Sequence, residues 1–293
     1  MFEQVAAIDW SGAKSPQRSF AVSLAVCQAN STDAPVAIPN KMSRTDIYHW
    51  ISEQIVNHKK TLVGIDCNLG YAANVVKNQF GNHMNYWQLW SEIENICSAE
   101  GNFFAGKFWT HEVYGETFWT QGKKPDWFDT KLLRRKTEHA AVSQGFGDPE
   151  SPFKLIGAKQ VGKGGLAGMR VMHKLKSEFG DKIAIWPFEA GLINSATVVV
   201  SENFPRTFIR KAGMGNQKLR TLEDLNQALA YFNTRPYFTS DSINDHLTDA
   251  IIAAAGMRWV FENETPLNTE LLPEESTQIE GWIFAVAPEY ALT

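Results

Sequence analysis

Short apolar runs that end on a carboxylate punctuate this chain. Val5-Ala6-Ala7-Ile8-Asp9 breaks into Trp10-Ser11-Gly12, and Leu62-Val63-Gly64-Ile65-Asp66 breaks into Cys67-Asn68-Leu69-Gly70. Runs of this length predict buried strands whose far ends open into loops. Residues 18–27 predict a second strand, hairpin-paired to the first through the turn around residues 12–17, and residues 35–38 a short third. Ser43 is placed to cap a helix over residues 44–57, with Ile47, Trp50, Ile51, Gln54 and Ile55 at helical spacing. This order lets the first and fourth strands lie side by side and parallel.

Further along, residues 86–98 predict a second helix. Residues 182–187 predict a strand that Pro187 bends or ends, with Glu189 close behind. Residues 196–200 fit a short strand or part of a helix. Thr221 opens a helix with Asp224 in the reciprocal position of a capping box. Residues 244–260 are strongly helical, and residues 281–286 predict a last strand. Between residues 101 and 129, Phe103, Phe104, Phe108, Trp109, Tyr114, Phe118, Trp119, Trp127 and Phe128 follow no sustained period. Packing a long loop against the body is the commoner use of such aromatics, and stacking of a ligand is the alternative. The expected architecture is α/β: one elaborated domain over residues 1–293, a mixed sheet with flanking helices, and an insertion or lid over residues 101–180.

Size and composition agree with a globular protein: 293 residues, 44% hydrophobic and 20% charged. The net charge of -4 gives no general attraction to nucleic acid, yet residues 121–176 hold twelve Lys/Arg against five Asp/Glu. A local basic surface and a merely solvated face fit that imbalance equally well. Cys27, Cys67 and Cys97 have no metal-ligand spacing, which points to a reducing compartment. With no secretory leader pattern at Met1-Phe2-Glu3-Gln4 and no apolar run of about 18 residues, a cytoplasmic protein without membrane contact is expected.

The candidate chemistry is carboxylate chemistry. In open α/β sheets function gathers just outside strand ends, where Asp9 and Asp66 fall. Asp245 and Asp249 stand four residues apart, on one face near the start of the last long helix. Asp249 is expected deeper, with Asp245 and His246 at the rim. Clustered like charges repel unless a cation or proton neutralises them, and oxygen-rich sites suit Mg²⁺ or Mn²⁺. Asp9, Asp66, Asp249 and Asp245 are therefore the candidate metal ligands, and Asp9, Asp66, Glu189 and Asp249 the candidate catalytic set. Taken singly, each aspartate is also an ordinary turn former or a helix-dipole partner. Lys14, Arg135, Lys159 and Lys163 are the candidate phosphate contacts. The glycine-rich run 157–168, with a helix expected from about Gly165, can offer backbone N–H groups to an anion, although it lacks the ending of a P-loop. His111, His139 and His173 show no mutual ligand spacing.

Five landmarks, in order along nearly the whole chain, resemble the ribonuclease H-like superfamily. More narrowly they resemble the predicted nucleases called the domain of unknown function 429 family. They are Ile8-Asp9-Trp10-Ser11-Gly12, Gly64 through Gly70, Trp186-Pro187-Phe188-Glu189-Ala190, Asp245-His246-Leu247-Thr248-Asp249-Ala250, and Glu280-Gly281-Trp282-Ile283-Phe284. Arg134-Arg135-Lys136-Thr137-Glu138 and the glycine-rich run look like a subset of that family. The resemblance implies a metal-dependent nuclease-like core centred on Asp9, Asp66 and Asp249. Ala184 is a departure, standing where relatives often carry a glutamate, and Glu189 is the candidate substitute. The leading expectation is hydrolysis of a phosphodiester in nucleic acid or a nucleotide-like substrate. The alternatives are non-catalytic binding of nucleic acid or a phosphorylated partner, and a kinase-like or phosphatase-like enzyme.

Overall fold

The structure, a computed structural model, describes residues 1–14, 22–38, 42–81, 84–157 and 160–291. Six strands form one sheet: β1 (Gln4–Asp9), β2 (Ser23–Gln28), β3 (Val36–Ala37), β4 (Thr61–Ile65), β5 (Ile183–Trp186) and β6 (Val198–Glu202). Their order is β3-β2-β1-β4-β6-β5. β1 pairs antiparallel with β2 and parallel with β4, where Ala7 faces Gly64, so the expected adjacency of the first and fourth strands holds. β6 runs parallel to both β4 and β5. The C-terminal ends of β1, β4, β6 and β5 therefore share one edge. β1 and β4 are buried along their whole length. A strand covered on both faces has no polar side to show, which is why both read as unbroken apolar runs.

The α-helices among the described residues are α1 (Arg44–Val56), α2 (Ala73–Gln79), α3 (Tyr86–Cys97), α4 (Gly106–Trp109), α5 (Lys136–Ser143), α6 (Gly162–Phe179), α7 (Pro205–Lys211), α8 (Leu222–Tyr231) and α9 (Asp245–Asn263). α1, α3 and α6 pack with Ala6, Ile8, Val63 and Ile65 on one face of the sheet. α7, α8 and α9 pack with Val5, Ala7, Leu62 and Val199 on the other. Local signals set where several helices begin. Ser43 and Asp46 form the full capping box of α1, and the Asn244 side chain accepts from Leu247 N–H to open α9. Thr221 caps α8 by accepting from Asp224 N–H. In α9, Ile251, Ile252, Met257 and Val260 are fully buried. At roughly 1.5–3 kcal/mol for each such side chain, this anchor holds the first turn of α9 still against the sheet edge.

Several expectations change. Residues 281–286 form no strand: a single bridge joins Ile283 to Glu202, and positive φ at Gly281 and Ala285 breaks the extended path. α6 begins at Gly162 rather than near Gly165 and runs for 18 residues. β6 extends past the expected apolar run to Glu202. Within residues 101–129, Phe108, Phe118 and Phe128 are buried in the core, the commoner of the two uses expected. Residues 18–21 of the expected second strand lie outside the described residues. No described helix is long and apolar enough to cross a membrane.

Candidate functional site at the strand ends

Side chains alternate along a strand. Val5 and Ala7 belong to the α9 side of the sheet, so Asp9 at the end of β1 turns the same way. Leu62 faces α9 too, and Gly64 and Asp66 continue that alternation on β4. α9 comes close enough to bring its own acids because Gly64 has no side chain. A Cβ there would lie 2.2 Å from Met257 Sδ and 2.7 Å from Asn203 Nδ2. The alternation thus turns Asp9 and Asp66 toward the side of the sheet that carries Asp249.

Electrostatics reports their proximity. Burial raises the Asp66 carboxyl well above the usual carboxylate range, and Asp9, Asp249 and Glu202 push it further. Asp249 is pushed up to about 7, by burial first and by Asp9 next, with Lys218 and Arg206 opposing. Asp9 is raised by burial, against a hydrogen bond from His246. Buried like charges repel one another unless a proton or a cation neutralises them. Asp66 and Asp249 keep partial solvent access. Two cavities, of about 250 and 730 Å³, lie elsewhere on the molecule and touch none of the three acids.

His246 and Asn203 stand beside these acids. His246 Nδ1 lies 2.5 Å from Asp9 Oδ2, and this contact raises the imidazole pKa. Asn203 follows Glu202 at the end of β6, beside Asp66 in the parallel register, and is 3% exposed. Neither of its amide atoms has a hydrogen-bond partner. The all-oxygen donor set and its unrelieved repulsion suit a hard cation in chemistry and in charge. The side chains are not a preassembled shell, however. Among the described residues no group of three or more His, Cys, Asp or Glu stands ready to hold a metal ion, and Asp9 is turned to His246.

The other expected residues separate. Asp245 sits at the rim, ion-paired to Lys218 and, at 3.3 Å, to Arg220, which hold it below the usual carboxylate range. Glu189 does not join the cluster. It pairs with Lys176 at 2.8 Å and accepts from Tyr86 Oη at 3.2 Å and Ile185 N–H at 2.9 Å. The cause is strand order: β5 lies outside β6, so two strands intervene between it and β1, and three spacings amount to about 14 Å. Arg135, expected to meet phosphate, is 1% exposed and enclosed by Glu138, Glu202 and the Glu280 carbonyl. A guanidinium so saturated has no donor to offer a ligand. Lys14 Nζ lies over the Phe104 ring and Lys163 Nζ over the Trp109 ring. Lys159 lies outside the described residues.

Sequence reasoning missed Glu202. Val198-Val199-Val200-Ser201-Glu202 carries the same signal as the Asp9 and Asp66 runs, an apolar strand ending on an acid. Glu202 accepts from Leu69 N–H at 2.6 Å and from both terminal nitrogens of Arg135, so it fixes the loop behind Asp66. Asn203, Lys218 and Arg206 were also missed, and nothing in their local sequence marks them. Comparison of the chain with protein-family models, curated proteins and solved structures finds no match.

Proposed function

We propose that this chain is a phosphodiester hydrolase whose chemistry takes place at Asp9, Asp66 and Asp249 with Mg²⁺ or Mn²⁺, on nucleic acid or a nucleotide-like substrate. The observation that carries this reading is the grouping of three partly or fully buried carboxylates, each raised above the usual range, which no arginine or lysine among the described residues pairs by direct contact. The order of an antiparallel β3-β2-β1 meander beside parallel β4 supports the ribonuclease H-like expectation for the core. When bound, the cation would polarise a phosphoryl oxygen and make its water a better nucleophile.

Asp9 and Asp66, on neighbouring strands, would hold that charge from the sheet, and Asp249 from the first turns of α9. The exposed His246 imidazole, bonded to Asp9, can pass a proton between that carboxylate and water. Lys218 and Arg206 act on Asp249 from the α7–α8 side, and two helices, α6 and α9, begin at this edge. Their positive ends and these cations favour the approach of a phosphate. Purified protein with Mg²⁺ or Mn²⁺ is expected to cleave at least one member of a panel of single-stranded, duplex and structured DNA and RNA. Asp9→Asn and Asp249→Asn should each abolish it. Failure to cleave any member overturns the reading.

A second reading, binding without turnover, is favoured by the capture of Glu189 in a structural network and by the lack of a preassembled ligand shell. Tight binding of the same panel with no cleavage would support it.

A further inference from the structure

Lys14, Phe104, Trp109 and Lys163 form a continuous array between the loop that follows β1 and the start of α6. The Phe104 and Trp109 ring centroids are 5.2 Å apart at 87°, edge to face. Lys14 Nζ stands 5.5 Å from the centre of Phe104, and Lys163 Nζ 5.6 Å from that of Trp109. Both rings are half-buried, unlike Phe108, Phe118 and Phe128, which fill the core. A cation over a ring at such a site gains roughly 0.5–1 kcal/mol, enough to bias a flexible lysine toward one position.

Two buried arginines tie this array to the loop that follows β1 and to α6. Arg44, fully buried, donates to Asn102 O at 2.7 Å, Ser11 O at 2.6 Å and Ala13 O at 3.1 Å, joining the aromatic segment to the loop that carries Lys14. Arg170, on α6, donates to the Phe104 and Glu100 carbonyls and pairs with Glu94, joining the segment to the helix that carries Lys163. Gly12 lies against the start of that helix, where a Cβ would be 2.4 Å from Gly164 N. Trp10 Nε1 donates to Gly164 O at 3.0 Å across the same contact. Gly12 is three residues from Asp9, at most about 10 Å of chain.

We infer that this array is a binding platform for unpaired nucleotides, which leads a single strand of nucleic acid to the three aspartates. The inference rests on the phosphodiester reading for its direction. Aromatic rings stack bases that have left a duplex, once the flexible lysines swing off the ring faces and pair with the phosphates instead. A duplex hides the faces of its bases. The chain's net charge of -4 means that any attraction for a polyanion must be local, and this edge supplies two lysines and a helix start.

Fluorescence anisotropy of a labelled oligothymidylate in EDTA tests the platform without turnover. The wild type is expected to bind it at least tenfold more tightly than a duplex of equal length. Trp109→Ala should weaken single-strand binding by about 5- to 100-fold. The surface variant Lys14→Gln/Lys163→Gln, which removes no buried group, should reduce the slope of log K against log salt by roughly 1.4. An unchanged slope and affinity in the lysine variant, equal binding of duplex, or no binding of either overturns the platform. Strand binding that depends on these residues, with no cleavage when Mg²⁺ or Mn²⁺ is added, would sink the hydrolase reading and leave the platform standing. Cleavage indifferent to all of them would do the reverse.

Discussion

Two groups of carboxylates crown the same edge of the sheet, and they differ in how their charge is met. Glu202, Glu138 and Glu280 surround Arg135 and the first turns of two helices. The arginine bonds Glu138 and Glu202, while Ala73 N–H and Lys136 N–H donate to Glu280 at 2.9 and 2.8 Å. Among the described residues, Asp9, Asp66 and Asp249 have no such partner apart from the half-exposed His246. The first group is an interior whose acids are consumed in holding helix starts and the Leu69 loop. The second leaves strain between its members that a proton, a cation or a ligand would relieve. Burial is common to both groups; what separates them is whether direct partners meet the charge.

Removing the compensation should have the largest effect. Arg135→Ala leaves Glu202 and Glu138 buried beside each other, and a loss of about 3–5 kcal/mol in denaturant unfolding is expected. A loss below about 1 kcal/mol would show that the acids there are protonated already and would erase the contrast.

On the other side the sign reverses. A carboxyl whose folded pKa lies above its unfolded value binds more protons when folded, so its contribution to stability is present at low pH and lost as pH rises through the folded value. For Asp249 that window runs from about 4 to about 7. Asp249→Asn should therefore stabilise the metal-free protein by roughly 1–4 kcal/mol at pH 8 and change little at pH 4. Destabilisation at pH 8 would mean that the carboxylate already has a partner.

A cation should relieve the same strain. Mg²⁺ or Mn²⁺ at a hundredfold excess over its Kd should raise wild-type stability by about 2.7 kcal/mol at pH 8. Thermal shifts should show less at pH 5 and nothing in Asp9→Asn or Asp249→Asn. Equal shifts in those variants would place any ion elsewhere.

The smallest effect belongs to Glu189. Glu189→Gln keeps its acceptor oxygen for Ile185 N–H but loses the Lys176 ion pair, so a stability loss of about 1 kcal/mol is expected, with hydrolysis and cation response unchanged. Loss of hydrolysis in a stable Glu189→Gln protein would return that residue to the site.

What could be read from the chain alone was whatever depends on near neighbours. Strands β1 and β4, the Ser43 and Thr221 caps, and the placing of Asp9 and Asp66 at strand ends and of Asp249 near the start of a helix follow from residue period, side-chain reach and turn chemistry within a few positions. The Val198–Glu202 run held the same kind of signal for Glu202. Which acids share one environment was settled only by the tertiary structure. Strand order put β6 between β4 and β5 and carried Glu189 away. Arg135 reached Glu202 across 67 positions and paired with it, while His246 met Asp9 across 237. Ionisation depends on distance through space and on exclusion of water, and neither quantity is encoded in spacing along the chain.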